Sequence, residues 1–393
     1  MTANLDDFII DSRKLVGLEA TDVPEGWSDI DWPAIRRFTT ALGDRNELYY
    51  DPVYTLKTRY QSLLAPPTYL VGVRTPSASG AFPSETNYGL APMQSGVEFE
   101  WFDIIRLGQR LRSELKLTGV QEGRRTTFKG NPKTAELSCE AAYRGFYEGL
   151  IGRAKGNMTF ASYESGKDFF LDRGIYAYSD KEIETITGEM DKVIKTPPRG
   201  MVPLYWGKDV QVGDELPQLV KLLTFDGLSQ WTVAEGRERL RANIMFPNLK
   251  KMPSRVVTNP TTNWPYWDVY TCDNDINSCK AGGYNAPYAR GLNLACLASQ
   301  LLTNWMGDDG FLRSFKMELS VPNTLLYGDT MSIRGQVAEK YKEKVSGIEY
   351  RAVEVNVEET NQLGEILGNG NATVYLPDRG HEVKLPIPSG RTL

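Results

Sequence analysis

The chain has 393 residues, 41% hydrophobic and 24% charged, with a formal net charge of −5. Such a composition builds a sizeable core, is ordinary for a soluble globular protein, and leaves no basic face for nucleic acid. The length suits one to three domains, with two of roughly 150–190 residues the simplest division.

The N-terminal MTANLDDFIIDSRK is acidic and lacks the apolar run of a signal peptide. No segment approaches the ~18 apolar residues of a membrane span. The four cysteines (Cys139, Cys272, Cys279, Cys296) form no CxxC pair, and the single histidine is His381, near the C-terminus. A zinc site or disulfide framework is therefore not expected, and a reducing, cytoplasmic setting is.

In chain order, the first helical segment is expected near 67–74, after Pro66-Pro67-Thr68, since proline is tolerated just inside a helix start. VEFEWFDIIRLGQRLRSELKLTGV (97–120) reads as a strand pair around Gly108, followed by a β-rich run ending in GNMTF (156–160). Residues 165–200 read as a linker. Ser179 and Glu182 have capping-box spacing for a short helix, which TPPRG (196–200) breaks. Extra material follows at 237–268.

RGLNLACLASQLLTNWMG (290–307) repeats Leu294, Leu297, Ala298, Leu301, Leu302 and Trp305 at three- and four-residue intervals, the mark of a helix with one apolar face. FKMELSVPNTLLYGDTMSIRGQV (315–337) has the shape of 97–120, around Gly328, and the last β-rich run ends in GNATV (370–374). Leu115, Leu117 and Val120, and Val353, Val355 and Val357, give the period-2 pattern of half-buried strands. A helix followed by antiparallel strands thus occurs twice, an internal repeat. The fold class is α+β: two units in which a curved antiparallel sheet wraps a helix. The units are expected at 1–164 and 201–393, joined by the linker at 165–200.

Residues 38–71 read FTTALGDRNELYYDPVYTLKTRYQSLLAPPTYLV. This stretch resembles the hydratase box of the MaoC-like acyl-CoA hydratase/dehydratase family, with a FAS1-like dehydratase N-terminal half. Gly43, Asp44, Asn46, Asp51, Pro66, Pro67 and Thr68 match the family's pattern, while Tyr49 stands where its catalytic histidine belongs. The resemblance is close over 38–160 and looser over 220–345. It implies a fused double hotdog and hydro-lyase chemistry on an acyl thioester, carried by coenzyme A or by a carrier protein. It implies no cofactor and no metal. A homo-oligomer such as a dimer is expected, alone or beside a second hydratase subunit.

The family's reaction uses an Asp–His pair for proton transfer and a backbone N–H at the start of the central helix for the thioester oxygen. In the first unit the spacing survives as Asp44 and Tyr49, and tyrosine is a poor base at neutral pH. Asp44 and Asn46 also suit a tight turn, which makes the first unit a scaffold and Asp44 with Tyr49 a second choice for catalysis. The second unit departs as well. Aligned on the Gly-Tyr and the helix, Thr271 falls near the histidine position and Asp273 near the following Asp, with Arg290-Gly291 at the helix start. Alternatively AEGR (234–237) matches ALGD (41–44), which sets Arg237 opposite Asp44. Neither recovers the pair.

The first reading assigns acid–base work to Asp273 and Asp275 and the thioester oxygen to the Gly291 N–H. Tyr270, Asn277, Tyr284, Tyr288 and Arg290 are the substrate-binding candidates. Two carboxylates at close quarters can take different pKa values, one acid and one base. The plainer alternative is that DNDIN is a polar turn; a calcium loop would need a later glycine and glutamate. Cys272 and Cys279 suit packing, having no histidine to make a thiolate. Trp264, Trp267, Tyr284 and Tyr288 could line a pocket, with core area the plainer reading, and GRRTTFK (123–129) and KYKEK (340–344) suit solvated hairpin ends. The rival readings are a non-catalytic acyl-CoA binder or partner subunit, and a hotdog thioesterase. His381 lies in a tail expected to be mobile and unnecessary for activity.

Overall fold

The structure, a computed structural model, describes residues 4–20, 26–77, 80–124, 131–147, 149–162, 173–236, 257–266, 276, 279, 285–321 and 323–389. Its helices are α1 (Leu5–Arg13), α2 (Trp32–Leu42), α3 (Pro52–Thr55), α4 (Leu70–Val73), α5 (Asp180–Lys195), α6 (Phe225–Ala234) and α7 (Gly291–Met306). The first strands are β1 (Leu64–Ala65), β2 (Leu90–Trp101), β3 (Ile105–Arg106), β4 (Leu111–Arg124), β5 (Lys133–Gly145) and β6 (Leu150–Ser162). They are followed by β7 (Leu219–Leu222), β8 (Val257–Thr258), β9 (Pro265–Tyr266), β10 (Phe311–Leu319), β11 (Thr330–Val345), β12 (Ile348–Asn361) and β13 (Ile366–Tyr375).

One nine-stranded sheet carries the fold, in the order β4-β5-β6-β2-β10-β13-β12-β11-β7, and every pairing in it is antiparallel. Four strands on each side have the same topology, so the expected repeat is present. The strands before and after Gly108 do not pair with each other, however. β2 lies between β6 and β10, while β4 pairs with β5. The same holds around Gly328: the turn glycines (φ 88° and 82°) lead into crossovers rather than hairpins.

The repeat can be placed to the residue. Gly156 and Gly370, which open the words GNMTF and GNATV, pair with Val97 and Met317, and Val97 pairs with Met317 across the seam. The register shifts, which skip Ser95 in β2 and Arg313 in β10, put the approximate two-fold axis one residue along, through the pair Glu98 and Lys316. Arg313 clasps Glu100 across the same seam at 2.6 Å.

α7 is wrapped as expected. Leu294, Leu297, Ala298, Leu301, Leu302 and Trp305 are buried, each leucine worth about 1.5–3 kcal/mol over an exposed one. Asn293, Ser299, Gln300 and Thr303 are buried too, so this helix has no solvent face. Its counterpart is a 3-10 turn (Pro67–Tyr69) running into the single turn of α4. It ends at Val73; Arg74 is already extended (φ −155°), and Pro76 two residues on keeps Thr75 from resuming the helix. α5 begins with the Ser179–Glu182 capping box. Before it, Arg173 grips the fully buried Asp329 with two hydrogen bonds (2.9 and 2.6 Å).

The expectation of a mobile tail is corrected. Ile387 donates its N–H to the Phe102 carbonyl at 2.6 Å. The Val383 and Lys384 carbonyls accept from Arg59 and Tyr350. Val383 and Ile387 are buried. Two apolar side chains with fixed backbone partners hold the strap down, while His381 stays exposed in a turn with Asp378.

Candidate active site

The hydratase box begins where α2 stops. Gly43 takes φ 58°, which a residue without Cβ tolerates best. The Asp44 carboxylate then accepts from the Asn46 N–H (3.0 Å), and the Asn46 side chain accepts from the Leu48 N–H (3.1 Å). Asp51 caps α3, accepting from Val53 and Tyr54. From β7, Lys221 donates to the Leu42 and Gly43 carbonyls (3.0 and 3.2 Å). All three acidic or amide side chains thus shape turns.

Tyr49 is buried against Thr303 on the C-terminal half of α7, and that burial pushes its hydroxyl well above the usual range. Burial also raises the Asp44 carboxyl, opposed by the Asn46 N–H and Lys221, and drops the Lys221 amine to about 8. Beyond α7 lies Asp308. Tyr54 donates to its Oδ2 (2.7 Å) and Tyr60 to its backbone carbonyl (2.8 Å). Its Oδ1 is buried without a hydrogen-bond partner among the described residues, and burial pushes the carboxyl up to about 6. Asn46, Tyr49, Tyr60, Pro67, Thr303 and Asp308 share a cavity of about 40 Å³. That holds a water or two and no acyl chain.

The starts of the two central helices differ in one decisive atom. In the first unit, Leu64 and Ala65 pair with Arg106 and Ile105, and the helix opens two residues later at Pro67. In the second, Tyr288 bridges Leu326, Ala289 donates to the Leu325 carbonyl, and the helix opens at Gly291. Pro67 and Gly291 are structural equivalents. Proline has no N–H, so the first unit has no donor for an oxyanion at this point. Gly291 does, at the positive end of a 16-residue helix whose start no side chain caps. Only glycine fits there: a Cβ would lie 2.5 Å from Leu319 Cδ1 and 2.7 Å from Gln94 Cβ.

Of the sequence-derived site residues, Asp273, Asp275, Tyr270, Asn277 and Tyr284 lie outside the described residues, as do Arg237, Thr271 and Cys272. Tyr288 is half-buried on its bridge to Leu326. Arg290, the residue before the helix, is ion-paired at 2.7 Å to Glu235, whose side chain is 1% exposed. Glu235 follows α6 as its cap, just before Gly236 (φ 77°), while α2 ends at Leu42, just before Gly43. The AEGR–ALGD alignment is thus the one that matches helix end to helix end. Asp44 and Tyr49 are brought to the far end of α7 from Gly291, not to it. Among the described residues, no three His, Cys, Asp or Glu side chains gather to hold a metal.

Sequence reasoning missed the half-buried Lys221 and two buried carboxyl groups, Asp308 and Glu359. Glu359 carried a signal. It continues the period-2 stripe Val353, Val355, Val357 and so belongs on the buried face. It is 0% exposed there, neither carboxylate oxygen has a hydrogen-bond partner among the described residues, and burial raises its pKa far above the carboxylate range.

Residues 20–129 match the family described as "FAS1-like, dehydratase domain region". No curated protein matches the sequence. Among solved structures, the chain is similar to a protein titled "MaoC-like dehydratase", at 15% identity and TM-score 0.62, covering 93% of this chain and 99% of that one. It is also similar to a conserved hypothetical protein of Mycobacterium tuberculosis titled as having a double hotdog fold, at 10% identity and TM-score 0.50, covering 92% and 98%. The fold is that of double hotdog proteins. No helix among the described residues is long and apolar enough to cross a membrane.

Proposed function

For a chain of the MaoC-like hydratase/dehydratase kind, with a dehydratase-type region in its N-terminal half, we propose hydro-lyase activity on an acyl thioester at the start of α7. The observation that carries this reading is the contrast between Gly291 and Pro67. One helix start keeps the N–H that a thioester oxygen needs; the other has a side chain incapable of it, beside a cavity of about 40 Å³.

In this reading the thioester carbonyl accepts from the Gly291 N–H, and the helix dipole stabilises the enolate-like oxygen as charge develops there. Asp273 and Asp275 handle the α-proton and the water. Arg290, ion-paired to Glu235, stands beside the same helix start, and the carrier is either coenzyme A or a carrier-protein arm. The first unit serves as scaffold, with its box fastened to α7 through Tyr49 and Thr303. The chain acts as an oligomer, alone or with a second hydratase subunit.

The test is water release or uptake on a panel of enoyl- and 3-hydroxyacyl-CoA substrates, with calorimetric binding of the same ligands. Asp273→Asn and Asp275→Asn should each cut turnover by ~10²–10⁴-fold and leave affinity nearly unchanged. Absence of the Asp–His pair from both alignments favours the second reading, a non-catalytic thioester binder. Tight binding by the parent with no turnover on any member of the panel would establish it.

A further inference from the structure

The repeat supplies an internal control for one corner of the fold. In the first unit, Gly108 donates its N–H to the Ile30 carbonyl and Ile30 to the Gln109 carbonyl, just before Asp31 caps α2. In the second, Gly328 donates to the Leu223 carbonyl and Leu223 to the Asp329 carbonyl, just before Thr224 caps α6. The hairpin tips beside these turns match as well. Leu111 pairs with Gly145 as Met331 pairs with Asn361, so Arg110 corresponds to Thr330 and Phe146 to Gln362.

In the second unit the linker covers this corner. Arg173 holds Asp329, and the Tyr178 hydroxyl donates to the Gly328 carbonyl while accepting from the Thr330 N–H, both at 3.0 Å. Gln362 turns inward and donates to the Asp329 carboxylate at 2.7 Å. Asp329 is accordingly 0% exposed and Thr330 6%. In the first unit the same corner faces solvent. The Arg110 side chain is 65% exposed and Phe146 is 59% exposed, with Leu107 and Trp32 exposed beside them. Phe146 is fixed through its N–H to the Arg110 carbonyl (2.9 Å), and its ring lies edge-on to that of Tyr147.

Fixed aromatic rings in water, at a corner that the other unit covers, mark an interaction surface. The charges beside them name the occupant. Asp29 pairs with Arg110 at 3.3 Å, and an ion pair so exposed adds little to folding. Adjacent charges of opposite sign are self-complementary about a two-fold axis, because each can meet its opposite on the other copy. A foreign protein steered by charge would meet a surface of one sign instead.

We propose that a second copy of this chain covers the first unit's corner. The two Phe146 hairpin tips pack about a two-fold axis, and Asp29 of each copy meets Arg110 of the other. The inference rests on the oligomeric part of the proposed function and is independent of its chemistry.

Sedimentation velocity between ~1 and ~100 µM tests it, and the parent should be a dimer. Phe146→Ser should weaken self-association by at least ~30-fold. Asp29→Arg and Arg110→Asp should each be monomeric alone, because like charges then face each other across the axis. An equimolar mixture of the two should dimerise, because both cross-contacts are restored in the mixed pair. All three positions are exposed, so each variant should fold and melt as the parent does. A dimer that survives Phe146→Ser overturns the proposal and leaves the oligomeric reading standing. Charge reversals that leave the dimer intact, or that fail to recover on mixing, overturn it in the same way. A parent monomeric throughout overturns both, assigns the corner to a different partner, and leaves the hydro-lyase chemistry to its own assay.

Discussion

Replacing Asp308 with asparagine should change how stability depends on pH, and the structure gives the size. Burial holds the Asp308 carboxyl at about 6, against 3.8 for the free side chain. The unfolded chain therefore ionises this group about two pH units before the folded one does. Below pH ~4 both states are protonated and the contribution is fully present. As pH rises from about 4 to about 6 only the unfolded state loses its proton, so stability falls, by roughly 3 kcal/mol at 1.36 kcal/mol per unit. Asp308→Asn keeps the acceptor for Tyr54 and cannot ionise. In urea titrations from pH 4 to pH 7, the variant should gain on the parent by roughly 2–3 kcal/mol, with all of the gain between pH 4 and 6.5. Asp44 and Glu359, whose pKa values are also raised, are present in both proteins and cancel in the difference. A gap between the two proteins that stays constant across this range would refute the assignment.

Two other outcomes are expected. Asp329→Asn leaves the Arg173 guanidinium without its buried carboxylate, and should cost roughly 3–5 kcal/mol of stability in denaturant titration. His381→Ala should leave turnover on the CoA panel within about twofold, since the imidazole is exposed in a turn of the C-terminal strap; a ~100-fold loss, equivalent to about 2.7 kcal/mol of barrier, would put the chemistry there instead.

The elements set by local periodicity were legible in the chain. The 3.6-residue spacing of Leu294, Leu297, Leu301 and Trp305 marks α7, and the words GNMTF and GNATV mark the last strand of each unit. Strand partners were not, because β2 and β4 have equally good alternation and only packing around a helix decides that β2 joins β10. Even the stripe Leu115, Leu117, Val120 breaks parity for a reason local sequence hides: β4 and β5 shift register between Leu117 and Gly119. At the site, Gly291 was legible from the family's pattern. Asp308 was not, since its properties come from Tyr54 and Tyr60, each about 250 positions away. Glu359 was legible in principle, as an acid sitting in phase with three buried valines.

The pairing of Glu98 with Lys316 on the two-fold axis has a consequence for what such a chain is free to become. A dimer of identical units writes every position once, so a proline that silences one helix start silences both. Here each position is written twice, and Pro67 and Gly291 could part company without a compromise between them. On the proposed reading, one unit holds the shape while the other carries the site. A titration with a tight thioester ligand should accordingly saturate at one equivalent per chain, though the fold offers two places of the same design.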